Sequence, residues 1–313
     1  MKKKPFHLFF ILFFALTALC ACGESSGKET FTVTFLQSGF SPITRTVVAG
    51  KKVENIPETR RDGSGLVIEW NFDADKPITE DLTIETISYT EGLTFAPNMK
   101  KDGYTVTTFC GDATRVVVPE NFRGVPVTGV GMFAFASNDK ITYVKLPESL
   151  KTIGERAFYY CIALERVDMP EKAETIEASA FDSCTSLKEL KLPAGITEIP
   201  VRLAVGNKYS YIEVPEGVTV IGEYAFASEI TDIVLPASLE KIDYVGIWKP
   251  LECIYYRGDR GTWEEVDISD REYNGFSAAS VAKNAEIYFY SETAPTRKGN
   301  FWHYVEGKAA IWE

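Results

Sequence analysis

The feature that most constrains this chain is a short pattern that recurs every 21 to 23 residues. It reads apolar-x-x-apolar-x-apolar-Pro, and its prolines, at successive intervals of 23, 23, 22 and 21 residues, are Pro147, Pro170, Pro193, Pro215 and Pro236. The alternating apolar positions predict a short strand with one buried face, which proline ends because it has no N–H to donate. One such unit cannot bury its apolar side alone. The pattern therefore predicts a mainly β solenoid of about seven short coils.

A second apolar segment follows each strand and completes the coil. Two full copies are Leu150-x-x-Ile153-Gly154-x-x-Ala157-Phe158 and Val218-x-x-Ile221-Gly222-x-x-Ala225-Phe226. Each phenylalanine is expected to stack on its equivalents in the adjacent coils. In one copy Pro200, Leu203 and Ala204 replace the glycine and the Ala-Phe pair. We expect that coil to be locally irregular.

The combined consensus, Leu-Pro-x-x-Leu-x-x-Ile-Gly-x-x-Ala-Phe, resembles the BspA-type leucine-rich repeat of bacterial surface proteins over roughly residues 112–257. The resemblance implies a leucine-rich-repeat solenoid, assigned to residues 112–268, that serves recognition or adhesion rather than catalysis. Residues 91–111 are expected to form a hairpin that caps the open end of the solenoid. Residues 269–313 are expected to form an aromatic C-terminal cap, in which the segments around Phe289 and Trp302 pair as a hairpin and Glu306-Gly307 turns the chain into Ile311-Trp312.

Residues 31–90 lack this period and carry short alternating segments separated by turn residues. The string Trp70-x-Phe72-Asp73, followed by Pro77-Ile78-Thr79-Glu80-Asp81-Leu82-Thr83-Ile84, resembles the internalin B-repeat family. That family is a small β-grasp-like module of surface proteins. The resemblance implies a spacer or an adhesive unit at this position.

The N-terminus has the composition of an export signal. Three lysines precede the apolar run from Phe6 to Leu19, which is too short to span a membrane comfortably. Leu19-Cys20-Ala21-Cys22 resembles the bacterial lipobox. The resemblance implies a signal peptide over residues 1–21, a lipid on Cys22, a tether over residues 22–30, and a protein anchored at the outer face of the bacterial cell membrane. The alternative is a plain N-terminal anchor helix.

The expected exported chain is strongly acidic. Loss of three lysines from 33 basic residues leaves 30 against 44 acidic ones, a net charge of −14. Such a charge argues against nucleic acid or anionic lipid as a partner. Membrane association is therefore predicted only through the lipid anchor.

Residues that suggest chemistry are explained by the repeat. His303 is the only histidine after the signal, and no nucleophile is indicated near it. Cys161 and Cys184 are separated by 23 residues, the repeat period, which favours a packed column over a disulfide or a zinc site. Gly129-x-Gly131 is the ordinary repeat turn. The sequence predicts no enzyme, no metal and no cofactor.

One outer face of the strands remains as a candidate binding surface. Charges of opposite sign alternate along it from Lys145 to Glu213, which favours a self-paired, solvated face. The candidate anchors are its tyrosines, Tyr143, Tyr211 and Tyr255, with Tyr159 and Tyr160 as a second group. Two hypotheses follow. The chain recognises a protein or glycan of a host or neighbouring cell, or it is a structural spacer or coat protein of the envelope without a specific ligand.

Overall fold

A computed structural model describes residues 28–61, 63–247, 251–296 and 299–312. The predicted signal peptide and Cys22 lie outside the described residues. In the part of the chain that is described, no helix is long and apolar enough to cross a membrane. The described residues are mainly β, with two short helices.

The first four strands form a small sheet of their own. They are β1 (Thr30–Leu36), β2 (Ile43–Val48), β3 (Val67–Trp70) and β4 (Leu82–Tyr89). The order across the sheet is β2-β1-β4-β3, with β1 and β4 parallel and the outer pairs antiparallel. Alternate residues of β1 point to one side, so Val33 and Phe35 are both buried there. The Phe35 ring meets the Trp70 ring edge-on at 5.1 Å.

A hairpin joins this sheet to the repeats. Its strands are β5 (Leu93–Pro97) and β6 (Tyr104–Phe109), and β6 pairs in parallel with the first strand of the second ladder, β9 (Val125–Val130). A two-residue strand, β8 (Asn121–Phe122), pairs with the start of β9. The Phe122 ring stacks on Phe95 at 4.3 Å and meets Tyr89 of β4 edge-on at 6.2 Å. The hairpin therefore covers the open end of the solenoid and packs against the N-terminal sheet.

The repeats build two ladders of parallel strands, one for each apolar segment of the coil. The first ladder contains β7 (Arg115–Val117), β10 (Tyr143–Lys145), β12 (Arg166–Asp168), β15 (Tyr211–Glu213), β17 (Asp232–Leu235), β19 (Cys253–Tyr256) and β21 (Glu286–Tyr290). The second continues from β9 through β11 (Thr152–Ile153), β13 (Thr175–Ile176), β14 (Glu198–Ile199), β16 (Val220–Ile221), β18 (Lys241–Ile242) and β20 (Asp267–Ile268). One continuous hydrophobic core lies between the ladders.

Columns of equivalent residues fill this core. The rings of Phe135, Phe158 and Phe181 stack face to face, with centroids 4.9 and 5.1 Å apart. Cys161 and Cys184 are free thiols and fully buried, and each donates to the phenylalanine carbonyl one coil back, at 3.0 and 3.1 Å. Burial raises the pKa of Cys161 to about 12, so its thiol stays neutral.

Both ladders are interrupted at the same level of the solenoid. Between β12 and β15, the backbone of residues 189–192 makes no hydrogen bond to either neighbouring coil, although all of these residues are described. Only the Lys188 N–H still reaches back, to the Glu165 carbonyl at 3.2 Å. In the second ladder β13 and β14 are likewise not paired with each other, although β13 pairs with β11 and β14 with β16. The break coincides with the fall of the repeat length from 23 to 22 residues.

Pro200 removes one of the hydrogen bonds that are missing at the break in the second ladder. In other coils the residue at this position donates its N–H to the carbonyl one coil back at 2.8 Å, as Gly154, Glu177, Gly222 and Asp243 do. Pro200 has no N–H, so the Ile176 carbonyl loses that partner. The turn itself keeps its register, because Phe181 N–H still donates to Leu203 at 2.9 Å and Ala204 is fully buried. The predicted irregularity of this coil therefore lies in the ladders, and its turn is regular.

The C-terminal part differs from the predicted hairpin. Phe289 of β21 and Phe301 of β22 (Phe301–Val305) belong to strands that pair in parallel, not antiparallel. The antiparallel pair is β22 with β23 (Lys308–Ile311), turning at Glu306 and Gly307. We call β22 and β23 the C-terminal hairpin.

Two short helices precede the C-terminal hairpin, and neither is predicted from the repeat. They are α1 (Arg260–Glu264) and α2 (Ala278–Asn284). Each begins with reciprocal side-chain and backbone hydrogen bonds, from Asp259 and Thr262 in α1 and from Ser277 and Ser280 in α2. These polar pairs three residues apart are the sequence signal that could have identified them.

Candidate binding cleft on the strand face

The C-terminal hairpin folds back over the outer face of the first ladder. Trp302 is completely buried there, and its indole N–H donates to the Tyr256 carbonyl at 3.0 Å. Its ring meets Tyr255 edge-on at 5.7 Å. Tyr255 is only 8% exposed, so the prediction that it is an exposed anchor was wrong. The sequence showed that Tyr255 lies on the outer face but gave no sign that the chain returns to cover it.

A polar contact ties the hairpin to β15, which lies three strands before β21 in the first ladder. The Tyr304 hydroxyl donates to the Glu213 carboxylate at 2.9 Å and accepts from Arg257 Nε at 3.0 Å. Arg257 also donates to the Val214 carbonyl at 2.8 Å and forms an ion pair with Glu213. Burial raises the pKa of Tyr304 to about 12, so the hydroxyl keeps its proton for this contact. The hairpin is thereby held above β15.

The fold-back creates a cleft of about 730 Å³ on the strand face. One wall is the tip of the hairpin at residues 307–309, and the other comprises residues 188–192 with β15. Tyr211 lies in the cleft and is 37% exposed, with its hydroxyl donating to Glu213 at 3.2 Å. Burial raises the pKa of Tyr211, which keeps the phenol neutral. Of the predicted tyrosine anchors, only Tyr211 combines exposure with a place in this cleft.

Two lysines without a salt bridge in the described part of the chain line the cleft on opposite walls. Lys191 lies on the strand wall and Lys308 on the hairpin wall, and neither makes a salt bridge within the described residues. The third lysine of the cleft, Lys188, is paired with Glu165 at 2.5 Å. The cleft also holds three carboxylates: Glu213 is engaged by Arg257 and Asp232 by the Thr231 hydroxyl at 2.6 Å, whereas Glu189 makes no salt bridge within the described residues. The unpaired lysines are notable because the whole chain has a net charge of −11.

The other predicted tyrosines lie elsewhere and have their own partners. The Arg115 guanidinium covers the Tyr143 ring at 4.0 Å, and the Tyr143 hydroxyl donates to Asp168. Asp168 also pairs with Arg166 at 2.7 Å, so this part of the face is self-paired. Tyr159 and Tyr160 lie in the turn after the second ladder, and Tyr160 is 52% exposed.

His303, in the C-terminal hairpin, packs against an aromatic side chain. The His303 ring stacks on Trp312 with centroids 3.7 Å apart. Among the described residues, no group of three or more His, Cys, Asp or Glu side chains could hold a metal ion. Arg257 and Lys308 were not singled out from the sequence, because their contacts join segments that the repeat does not relate.

The two ladders and the repeat define a leucine-rich-repeat solenoid whose strand face carries a cleft. Residues 108–231 match the BspA type leucine rich repeat region in six copies, which covers 124 of the 313 residues. A search of curated proteins finds no match.

Three solved bacterial structures are similar to parts of the chain. A leucine rich repeat protein of T. pallidum is 27% identical, over 48% of this chain and 72% of that one, with a TM-score of 0.45. A leucine-rich repeat protein of Bacteroides ovatus is 25% identical, over 53% and 48%, with a TM-score of 0.43. A leucine rich cell surface protein of Faecalibacterium prausnitzii is 21% identical, over 71% and 59%, with a TM-score of 0.47. With TM-scores below 0.5, the assignment to this class depends on the repeat and not on these likenesses.

Proposed function

We propose that this protein is a bacterial surface recognition protein that binds a protein or a glycan through the strand-face cleft. The observation that carries the proposal is the cleft itself, with exposed Tyr211 and the unpaired Lys191 and Lys308. Ligand sites are usually concave, with an aromatic platform and a few polar groups that orient the ligand. Repeat solenoids bind through extended surfaces of this kind.

The N-terminal part of the proposal concerns anchoring. Cys22 carries a lipid, residues 1–21 are a signal peptide, and residues 22–30 tether the protein to the outer face of the membrane. Residues 31–90 then act as an internalin B-repeat-like spacer. The strand order β2-β1-β4-β3 with a parallel central pair supports a β-grasp-like module. Residues 91–111 cap the solenoid of residues 112–268, and residues 269–313 close it.

The anchoring proposal predicts different effects for the two neighbouring cysteines. Replacing Cys22 by alanine in the full chain should release the protein from bacterial membranes, because the lipid is lost. Replacing Cys20 should leave it membrane-bound. Cell fractionation and immunoblotting measure both, and unchanged membrane association of Cys22→Ala would favour the plain anchor helix.

Glycan and protein arrays probed with the purified protein test the recognition proposal. We expect binding that weakens at least about tenfold for Tyr211→Ala, because an aromatic anchor is removed from the cleft. Tyr160→Ala is the matched control, since Tyr160 is exposed but lies outside the cleft. Binding that depends on Tyr160 and not on Tyr211 would move the site to the turn.

The second candidate is a structural spacer without a specific ligand. It is favoured by the first coils, where Arg115, Tyr143, Arg166 and Asp168 are paired with one another. Absence of binding above background on every array would leave this candidate standing and overturn the first.

A further inference from the structure

We propose that the cleft binds an extended acidic polypeptide, which pairs as an additional strand with the free edge of β15. This inference rests on the proposed recognition function and names the class of its partner. It is carried by two independent observations, the interrupted ladder in the wall of the cleft and the pair of unpaired lysines.

The first observation concerns the edge of β15. In a parallel ladder, alternate residues of a strand hydrogen-bond to opposite neighbours. The Ser210 carbonyl accepts from Asp232 N–H at 3.0 Å, and Val214 N–H donates to the Val234 carbonyl at 2.9 Å, so the even-numbered residues face β17. The N–H and C=O groups of Tyr211 and Glu213 therefore point toward residues 189–192.

That side of β15 lacks its usual partner. Residues 189–192 form no strand and, within the described residues 63–247, share no backbone hydrogen bond with β15. Leu190 and Leu192 of this segment remain in the core, at 6% and 8% exposed. Both sides of this gap line the cleft. An exposed strand edge is a template for pairing with another chain.

The chemistry of this edge favours a polypeptide. In a strand, every second residue presents its N–H and C=O groups to the same side, and these residues are about 6.6 Å apart. The free groups of Tyr211 and Glu213 follow the same spacing, so a bound strand can pair with both. Strand addition of this kind uses the main chain for affinity and alternate side chains for specificity.

The charges without a partner favour acidic side chains, because two such lysines, Lys191 and Lys308, stand against one carboxylate, Glu189, among the described residues that line the cleft. A strand added to β15 directs every second side chain to the outer face, where Lys191 and Lys308 lie on the two walls. Both lysines are exposed and unpaired in the described part of the chain. Carboxylates at alternate positions of the bound segment would be held between them.

The test measures binding of labelled decapeptides to the full chain by fluorescence anisotropy. The probe alternates glutamate and threonine, and a lysine–threonine peptide of the same length is its charge control. Two further probes carry N-methyl groups on either the odd-numbered or the even-numbered amides. We expect the acidic peptide to bind and the basic one not to bind. One N-methylated form should lose at least about tenfold in affinity and the other should retain it, because alternate amides of a strand face opposite sides.

Charge-reversal variants locate the site. Lys191→Glu and Lys308→Glu should each weaken binding of the acidic peptide at least about fivefold, and the two together more. Lys100→Glu is the control, because this exposed lysine lies in the β5–β6 turn, outside the residues that line the cleft. Far-UV circular dichroism verifies that the variants are folded.

The outcomes separate this inference from the proposed function. Equal binding of both N-methylated peptides, or insensitivity to both lysine variants, would overturn strand addition in this cleft. Binding of an acidic oligosaccharide that requires Lys191 and Lys308, without peptide binding, would overturn the inference and leave recognition through the cleft intact. No binding of peptides here and none on the arrays would overturn both.

Discussion

Three residues at the same place in successive coils make the same hydrogen bond. Cys161 and Cys184 occupy the same place in successive coils, and Asn207 takes that place one coil later. Each donates to the phenylalanine carbonyl of the coil before it, the asparagine through Nδ2 at 3.2 Å. In these three coils the side chain therefore supplies a hydrogen bond to a buried carbonyl of the preceding coil.

Thiol labelling checks this role. Because burial raises the pKa of Cys161 to about 12, its thiolate is scarce at pH 8.5, and the same cause raises the pKa of Cys184. We expect iodoacetamide to modify exposed Cys110 in the native protein and to modify the two buried cysteines only after denaturation in urea. Peptide mass mapping measures the sites. Rapid native labelling of Cys161 would contradict a packed column.

Gly154 tests how closely adjacent coils approach at the turn. A Cβ added there would lie 2.8 Å from the Met132 nitrogen and 2.9 Å from the Gly131 carbonyl carbon, both backbone atoms of the previous coil. Gly154→Ala should therefore reduce the free energy of unfolding by about 1–3 kcal/mol, measured by urea denaturation.

Gly261→Ala is the matched control for that substitution. The nearest atom to a Cβ at Gly261 is a side-chain oxygen of Asp259, at 3.3 Å, and the residue lies in α1. Alanine should be neutral or stabilising there, by up to about 1 kcal/mol. A similar loss at both sites would argue against close coil contact as the cause.

At the scale of elements, the C-terminal hairpin is held mainly by Trp302 and by the contact of Tyr304 with Arg257 and Glu213. Tyr304→Phe removes only the hydroxyl that joins these two charged groups. We expect a loss of about 1 kcal/mol and faster hydrogen exchange in residues 301–311.

The control for the hairpin is Tyr290→Phe. Tyr290 packs against Trp302 at 5.1 Å and is 38% exposed, and no hydrogen bond of its hydroxyl is seen in the described structure. Its replacement should leave exchange in the hairpin unchanged. If Tyr304→Phe also left hydrogen exchange in the hairpin unchanged, the polar contact would not be what holds the hairpin over β15.

The elements that sequence predicted are those that repeat. Ile153, Phe158 and Cys161 recur at a fixed interval, so their burial and stacking follow from the period. The parallel pairing of β21 with β22 and the return of the hairpin over Tyr255 depend on single long-range contacts that no period encodes. For the candidate site, the sequence indicated the strand face and Tyr211 but not the cleft.

At the scale of the whole molecule, one interrupted level divides an otherwise regular solenoid. Pro200 removes a donor from the second ladder, and residues 189–192 leave the first ladder unpaired at the same level. The core remains continuous across the break, because Leu187 and Leu203 are still buried. The molecule thus gains an open strand edge in its middle without losing its hydrophobic core, and the tip of the hairpin forms the other wall of the cleft beside that edge.

Residue-resolved hydrogen exchange tests this central claim most directly. The amides of Tyr211 and Glu213 face the gap, whereas the equivalent amide of Asp232 one coil later is bonded to Ser210. We predict that the Tyr211 and Glu213 amides exchange at least about tenfold faster than those of Asp232 and Val234 in the free protein. Equal protection at both levels would mean that the ladder is continuous, and it would contradict the open edge on which the cleft's proposed role depends.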